Sequence, residues 1–321
     1  MIEKYIAYVR DIRRYSIRTA DIYRSVLSDF VKTMELDDII DGLDAKILRG
    51  YEVKMMEEKK CTPRTVNLHL SVLSGFCRFL IKEGKLKSNP VHLVPKPKVQ
   101  KRLPTFFRKE AMDAYFSCTD IYASREYLDI LLSDVSEEHR KELYEKRLAR
   151  LIVSMLYGLG LRRSELISLD IHNVDFGRKV VKVRGKGDKT REIPLVDVLC
   201  QEILLYLKAV EALAGGQRSL KEPLLVTYKG KRIYPIYVDR VVKKELKPEY
   251  GCTGRRSPHV LRHTLATELM NDEADLNSIK ELLGHSSLAA TQVYTHNSVA
   301  RLKTIYKHAH PRAKNGGKHG D

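Results

Sequence analysis

Residues 180–195 read VVKVRGKGDKTREIPL, two strand-like runs around a glycine-bearing turn in a chain that is otherwise helical in pattern. Val180 to Val183 and Arg191 to Leu195 are strand-like runs, and the tight GKGDK segment between them carries glycines able to take the positive φ that short hairpin loops require. The pair predicts an antiparallel hairpin. The pattern on either side of it is helical. Leu151, Ile152, Met155 and Leu159 recur at helical spacing over Arg147 to Leu159, which ends in the Gly158 and Gly160 turn, and after Pro194 a helix is expected over Val198 to Leu213. A mainly α chain with a small antiparallel β-sheet follows.

Further downstream, Ser257 and Pro258 form a cap and first-turn pair for Val260 to Met270, Asp275 caps Leu276 to Leu283, and Gly284 closes that helix. The polar, basic tail beyond Pro311 is expected to be disordered in isolation. Upstream, Asn89 to Lys109 holds Pro90, Pro95, Pro97 and Pro104, which bar helix. It also holds Lys96, Lys98, Lys101, Arg102, Arg108 and Lys109 with no acidic residue. It reads as a linker, either a solvated tether or a basic connector that lets two basic domains wrap around a duplex. The first hundred residues read as an all-α bundle. Thr19 is the expected cap of a helix with Ile22, Val26 and Phe30 on one side. Thr62 and Pro63 start the clearest helix, with Val66, Leu70, Leu73, Cys77 and Leu80 in register until Gly84. The domain reading is 1–94 helical, 95–105 basic linker, 106–310 mixed α/β and 311–321 flexible tail.

At 321 residues the chain exceeds what one hydrophobic core usually organises. Its 58 Lys+Arg against 41 Asp+Glu leave +17, spread along the whole length, while 43% hydrophobic residues place it among folded proteins. Such an excess faces a polyanion, and nucleic acid leads. The longest apolar runs, such as Leu151 to Leu156, are far short of the ~20 residues of a membrane span. The charged N-terminus MIEKYIAYVRDIRR does not resemble a signal peptide, so a cytoplasmic location is expected. Five cysteines at wide, irregular intervals form no C-x-x-C pair, which argues for reduced, mostly buried thiols rather than a zinc site or disulfide framework.

There is no P-loop, no G-x-G-x-x-G opening a helix after a strand, and no H-E-x-x-H, so the parts for nucleotide hydrolysis and metal-dependent proteolysis are missing. What remains is a set of cations and one tyrosine. Arg162 stands just before Ser164, which looks like a helix N-cap. Lys186 occupies the hairpin tip, with Lys182, Lys189 and Arg191 as rivals. His259 and Arg262 lie three apart on a capped helix, on a polar face opposite Leu261, Leu265 and Leu269. His263 lies beside that face, His285 follows Gly284 on a loop, and Tyr294 stands nine residues further on.

Taken one at a time, these are an ion-pairing arginine, a basic loop, a helix face and a loop histidine. Together they match attack on a phosphodiester without a metal. Guanidiniums bind the non-bridging oxygens, imidazoles add hydrogen bonds, a lysine protonates the leaving oxygen, and a tyrosine in that positive field becomes a workable nucleophile.

The sequence resembles the tyrosine recombinase family, also called the λ-integrase-like or phage integrase family. GLRRSEL resembles its first-arginine motif and assigns that role to Arg162, with Glu165 as the supporting carboxylate. VRGKGDKTREIPL is similar to its hairpin-lysine motif and assigns the general acid to Lys186. HVLRHTLAT resembles the H-x-x-R box, carrying over His259 and Arg262, with Leu265 where many members have phenylalanine. LLGHSSLAATQVYTH resembles the last box, which supplies His285 and the nucleophile Tyr294. YKHAHPRA, from Tyr306 to Ala313, resembles the ending of the Xer type, in which such a segment, here Leu302 to His310, docks in a neighbouring subunit.

The resemblance implies a SAM-like core-binding domain and a catalytic domain forming a C-shaped clamp on double-stranded DNA. It implies strand exchange through a 3′-phosphotyrosyl intermediate, by a tetramer on synapsed DNA, with no cofactor and no metal. Lys96, Lys98, Lys101, Arg102, Lys182 and Lys189 are the expected DNA contacts. Chromosome dimer resolution is the leading role, with a sister recombinase and a septal DNA translocase as further partners to test. Integration or inversion of a mobile element, a type IB topoisomerase-like relaxase and a non-catalytic DNA-binding regulator are the alternatives. The stretch from Cys118 to Lys146 has no assigned role.

Overall fold

The structure is a computed structural model that describes residues 1–99, 105–185, 190–272 and 275–284. The chain divides into two compact units, Met1–Arg102 and Leu103–Asp321.

In the first unit, α1 (Ile2–Ala7) runs into a π-turn and is followed by α2 (Ile17–Met34), α3 (Ala45–Glu57) and α4 (Pro63–Lys82). Thr62 caps α4, its hydroxyl accepting from the Thr65 N–H at 3.3 Å, and Val66, Leu70, Leu73, Cys77 and Leu80 are all buried, as the periodicity requires. α2 starts a turn earlier than the apolar stripe suggests. Ser16, not Thr19, is the cap, and Thr19 supplies the N–H that Ser16 accepts; Val26 and Phe30 are buried, whereas Ile22 is exposed. The linker is not wholly extended. Asn89 accepts from the Val91 N–H and starts a short 3₁₀ turn over Pro90–Leu93, because proline's fixed φ suits a first helical position. Pro97 is tied back to α4 through the Asn67 amide at 3.0 Å.

The second unit holds α5 (Lys109–Cys118), α6 (Arg125–Leu132), α7 (Glu137–Gly158) and α8 (Arg163–Ser168). The strands β1 (Val174–Asp175), β2 (Val180–Arg184) and β3 (Thr190–Pro194) come next, then α9 (Asp197–Ala214), α10 (Pro235–Glu245), α11 (Pro258–Asn271) and α12 (Leu276–Leu283). The predicted hairpin is present, with Val181 opposite Ile193 and Val183 opposite Arg191. β1 adds a third antiparallel strand on the far side of β2, in the order β1-β2-β3. Two residues are too few for alternation to reveal it.

α7 is the central helix, buried continuously from Arg147 to Gly158, and it packs against α9, α10 and α11. It starts ten residues before the expected Arg147, at a Ser136 cap, because its first turns are charged and carry no apolar period. The unassigned 118–146 stretch packs against it. Arg150, fully buried, donates to the Thr119 carbonyl at 3.2 Å, lies 3.3 Å from the Glu202 carboxylate, and stacks 4.5 Å from the Phe116 ring centroid. That stretch therefore helps close over a buried cation by supplying the Thr119 carbonyl, while Phe116 of α5 supplies the ring face that a desolvated guanidinium needs.

The five cysteines are free thiols: Cys77, Cys200 and Cys252 are buried, Cys61 is half-buried and Cys118 is exposed. Among the described residues no helix is long and apolar enough to cross a membrane.

Candidate active site

Gly158 ends α7 and Gly160 turns the chain at φ +58° toward Arg162, whose backbone is the N-cap of α8. Ser164, expected to be that cap, lies inside the helix. The capping partner is Glu165, which accepts the Arg162 backbone N–H at 2.8 Å, so the local fold draws a carboxylate back over the arginine that precedes it. The Arg162 side chain follows, with Nη1 donating to Glu165 Oε1 at 2.6 Å.

A second arginine reaches the same carboxylate from the sheet. Arg191 on β3 donates through Nη1 and Nη2 to the two Glu165 oxygens, each at 2.9 Å. A third, Arg262 on α11, brings Nη1 to 3.9 Å from Glu165 Oε2. Glu165 is buried, and burial would raise its carboxyl. The hydrogen bonds and charge of Arg191, then those of Arg162, overcome that and hold it at about 2. The carboxylate stays ionised throughout the working pH range.

The three guanidiniums also share the end of α12. Arg191 Nε donates to the Leu282 carbonyl at 2.9 Å, Arg262 Nη2 to the Leu283 carbonyl, and Arg162 Nη2 to the Gly284 carbonyl at 2.8 Å. Consecutive carbonyls at a helix C-terminus, the negative end of its dipole, thus each receive a different arginine. Arg262 Nη1 donates also to the Gly160 carbonyl at 2.6 Å. Burial pushes the Arg262 guanidinium down to about 10, with the Arg162 charge adding to this and Glu165 opposing it, so it remains a cation at neutral pH.

Two glycines permit the close approach. A Cβ at Gly160 would lie 2.7 Å from the Leu283 side chain, and one at Gly284, which closes α12 at φ +63°, would lie 3.2 Å from Arg191 Nη1. Access is unequal: the Arg162 side chain is 32% exposed, Arg262 9% and Arg191 5%. Arg162 presents the open edge of the cluster, while Arg262 is turned inward and does not stand on a solvent-facing side of α11. His259, the second residue of α11, is exposed; partial desolvation, then the charges of Arg262, Arg163, Arg255 and His263, lower its pKa and favour a neutral imidazole. His263 is exposed on the same helix.

The structure therefore brings Arg162, Glu165 and Arg262 together. Lys186, His285 and Tyr294 lie outside the described residues, as do Lys101, Arg102, Lys189 and the segments at 302–310 and 311–321. Lys96 and Lys98 are exposed in the first unit; Lys182 is exposed on β2, 3.9 Å from Glu192. In the sequence Arg191 stands only as a rival for the hairpin lysine. The overlooked signal is parity: Arg191 alternates with Ile193 and Leu195, placing it on the core face of its strand. Among the described residues no cluster of His, Cys, Asp or Glu could hold a metal ion.

The sequence profile of the phage integrase family matches residues 132–301, and that of the phage integrase N-terminal SAM-like domain matches residues 2–84. The chain belongs to the phage integrase family, the site-specific tyrosine recombinases. Within it the chain is Xer-like. It is 33% identical to tyrosine recombinase XerC of Bacillus pumilus, covering 98% of this chain and 97% of that one. It is 32% identical to XerC of Chlorobaculum parvum, covering 97% and 94%. The fold is similar to that of the XerH site-specific recombinase bound to palindromic difH substrate, with TM-score 0.64 and 19% identity over 95% of this chain and 83% of that one. It is also similar to the Tn1549 transposon integrase in complex with a circular intermediate DNA, with TM-score 0.62 and 17% identity over 95% and 98%.

Proposed function

We propose that the chain cuts and rejoins double-stranded DNA, with Tyr294 as nucleophile, in a tetramer that pairs two sites. The observation that carries this reading is the convergence of Arg162 and Arg262 on Glu165 and on the carbonyls that end at Gly284, the residue before His285. Two fixed guanidiniums, one buried and one at the open edge, suit the two non-bridging oxygens of a phosphodiester, where they stabilise charge growing in the transition state.

In this mechanism the Tyr294 phenolate oxygen bonds to phosphorus and the bond to the 5′-oxygen breaks. Lys186 gives that oxygen its proton, and His285 and His259 add hydrogen bonds and assist proton transfer. A 5′-hydroxyl from the partner duplex then reverses the step. The phosphoester bond is conserved in the adduct, so no nucleotide is consumed. Lys96, Lys98, Lys101, Arg102, Lys182 and Lys189 bind backbone phosphates. Likeness to XerC recombinases along nearly the whole chain supports chromosome dimer resolution in the cytoplasm as the role, with a sister recombinase and a septal DNA translocase as candidate partners.

The test uses nicked duplexes carrying a site that the protein enriches from a random-sequence pool. The wild type forms a denaturation-resistant adduct, and Tyr294→Phe forms none while still binding the duplex. An undiminished adduct in that variant refutes the assignment. Relaxation of any supercoiled plasmid, with no recombinant product, refutes the recombinase role in favour of a relaxase.

A further inference from the structure

Arg191 is a buried cation on the core face of a β-strand, and among the described residues its side-chain hydrogen bonds run to parts of the site. Nη1 and Nη2 grip both oxygens of Glu165, and Nε holds the Leu282 carbonyl in the last turn of α12. Its guanidinium lies so close to Gly284 that a Cβ there would come within 3.3 Å of Cζ. Glu165 in turn holds Arg162 by backbone and side chain. A bidentate guanidinium–carboxylate pair fixes the plane of the carboxylate as well as its place, and that plane sets the direction of the remaining acceptor lone pair toward Arg162 Nη1.

We propose that Arg191 is a positioning residue for strand cleavage. It aims Arg162 at the scissile phosphate through Glu165 and fixes the end of α12 from which the chain continues to His285 and Tyr294. The hairpin that carries Lys186 is thereby joined to the same carboxylate as the first arginine. Arg191 itself touches no substrate. The proposal rests on the recombinase reading above.

The test compares the wild type with Arg191→Lys and Arg191→Met in single-turnover adduct formation on the enriched nicked duplex, with duplex affinity and melting temperature measured alongside. Lysine keeps the charge but loses the two-pronged grip; methionine keeps the stem. Both variants are expected to bind the duplex as the wild type does and to cleave about 100-fold more slowly, the cost of roughly an ångström of misplacement.

The pH profile separates positioning from stability alone. The charged groups facing Glu165 are Arg162 from the start of α8, Arg191 from β3 and Arg262 from α11. With Arg191→Met, burial is opposed by fewer of them, so the carboxyl climbs and the loss of cleavage in acid sets in at a higher pH than in the wild type. Cleavage by both variants at the wild-type rate overturns the proposal, as does a loss that follows the folded fraction with an unchanged profile. Failure of the wild type to form any adduct overturns the recombinase reading first, and this inference with it.

Discussion

Arg162 donates to the carbonyl of Gly284 at 2.8 Å, although 122 residues separate them. The same guanidinium binds Glu165, so the loop that starts α8 and the turn that ends α12 are held by one side chain. His285 is the next residue after that carbonyl. The expected first catalytic arginine is therefore also the fastener that fixes where the histidine-bearing segment begins, and a change at either end disturbs both.

The carboxylate between these arginines makes the first prediction. Glu165→Ala leaves buried guanidiniums without their counter-charge and is expected to cost about 3–5 kcal/mol in urea denaturation. The wild-type carboxyl is held at about 2 against an ordinary 4.5, so its stabilisation is complete above pH 4.5 and is lost as the pH falls toward 2. The variant should show a shallower loss of stability in acid; an equal slope would mean the pairing is not what holds the carboxyl down.

Gly160 is expected to tolerate no side chain. Gly160→Ala combines a left-handed backbone with a Cβ 2.7 Å from Leu283 and 3.0 Å from Leu265, both in the core beside Arg262. A loss of about 2–4 kcal/mol follows from the two costs together. Gly84→Ala is the control, since it shares the positive φ but meets nothing within 4 Å, and about 1 kcal/mol is expected. Equal losses at the two positions would remove the packing argument.

Glu268 on α11 has the opposite pH behaviour. Tyr157 donates to one carboxyl oxygen, and the other has no hydrogen-bond partner among the described residues. Burial pushes the carboxyl from 4.5 to about 7, opposed by Tyr157 and Lys109 and aided by Asp113 and Asp272. The folded state holds this proton more tightly than the unfolded chain, so the stabilisation is full below pH 4.5 and is lost as the pH rises through 7. Glu268→Gln stays neutral throughout. It should flatten this limb in melting curves between pH 5 and 8 and exceed the wild type at pH 8, at about 1.4 kcal/mol for each pKa unit abolished.

Exposed Lys96 and Lys98 test the linker reading. Replacing both with alanine should weaken duplex binding without regard to sequence and reduce the slope of log affinity against log salt by about 1 for each lost phosphate contact. An unchanged slope would make this part of the linker a tether only.

Local signals were legible in the sequence. Thr62 with Pro63, Ser257 with Pro258, and Asp275 with Gly284 each mark a helix boundary by chemistry confined to one turn, and the hairpin declared itself by strand-like runs around glycines. Arg162, Glu165 and Arg262 were legible because their motifs are short and ordered. What the sequence concealed was tertiary. The first turns of α7 are charged and exposed, so no apolar period announces them. Arg191, at the start of a strand-like run, stands in the sequence only as a rival of the hairpin lysine, whereas a carboxylate 26 positions away claims it, and Arg262, expected on a polar face, is drawn inward by the carbonyls of Gly160 and Leu283.

The thiols have a practical consequence. Burial holds Cys77 and Cys252 up at about 12 and about 11 and raises Cys200, so few of these sulfurs are thiolates at neutral pH, while Cys61 is half-covered. Cys118, the last residue of α5, stands in solvent. A maleimide dye should therefore attach there first, giving a fluorescent handle on the unit that carries the arginine cluster without adding or deleting a single cysteine.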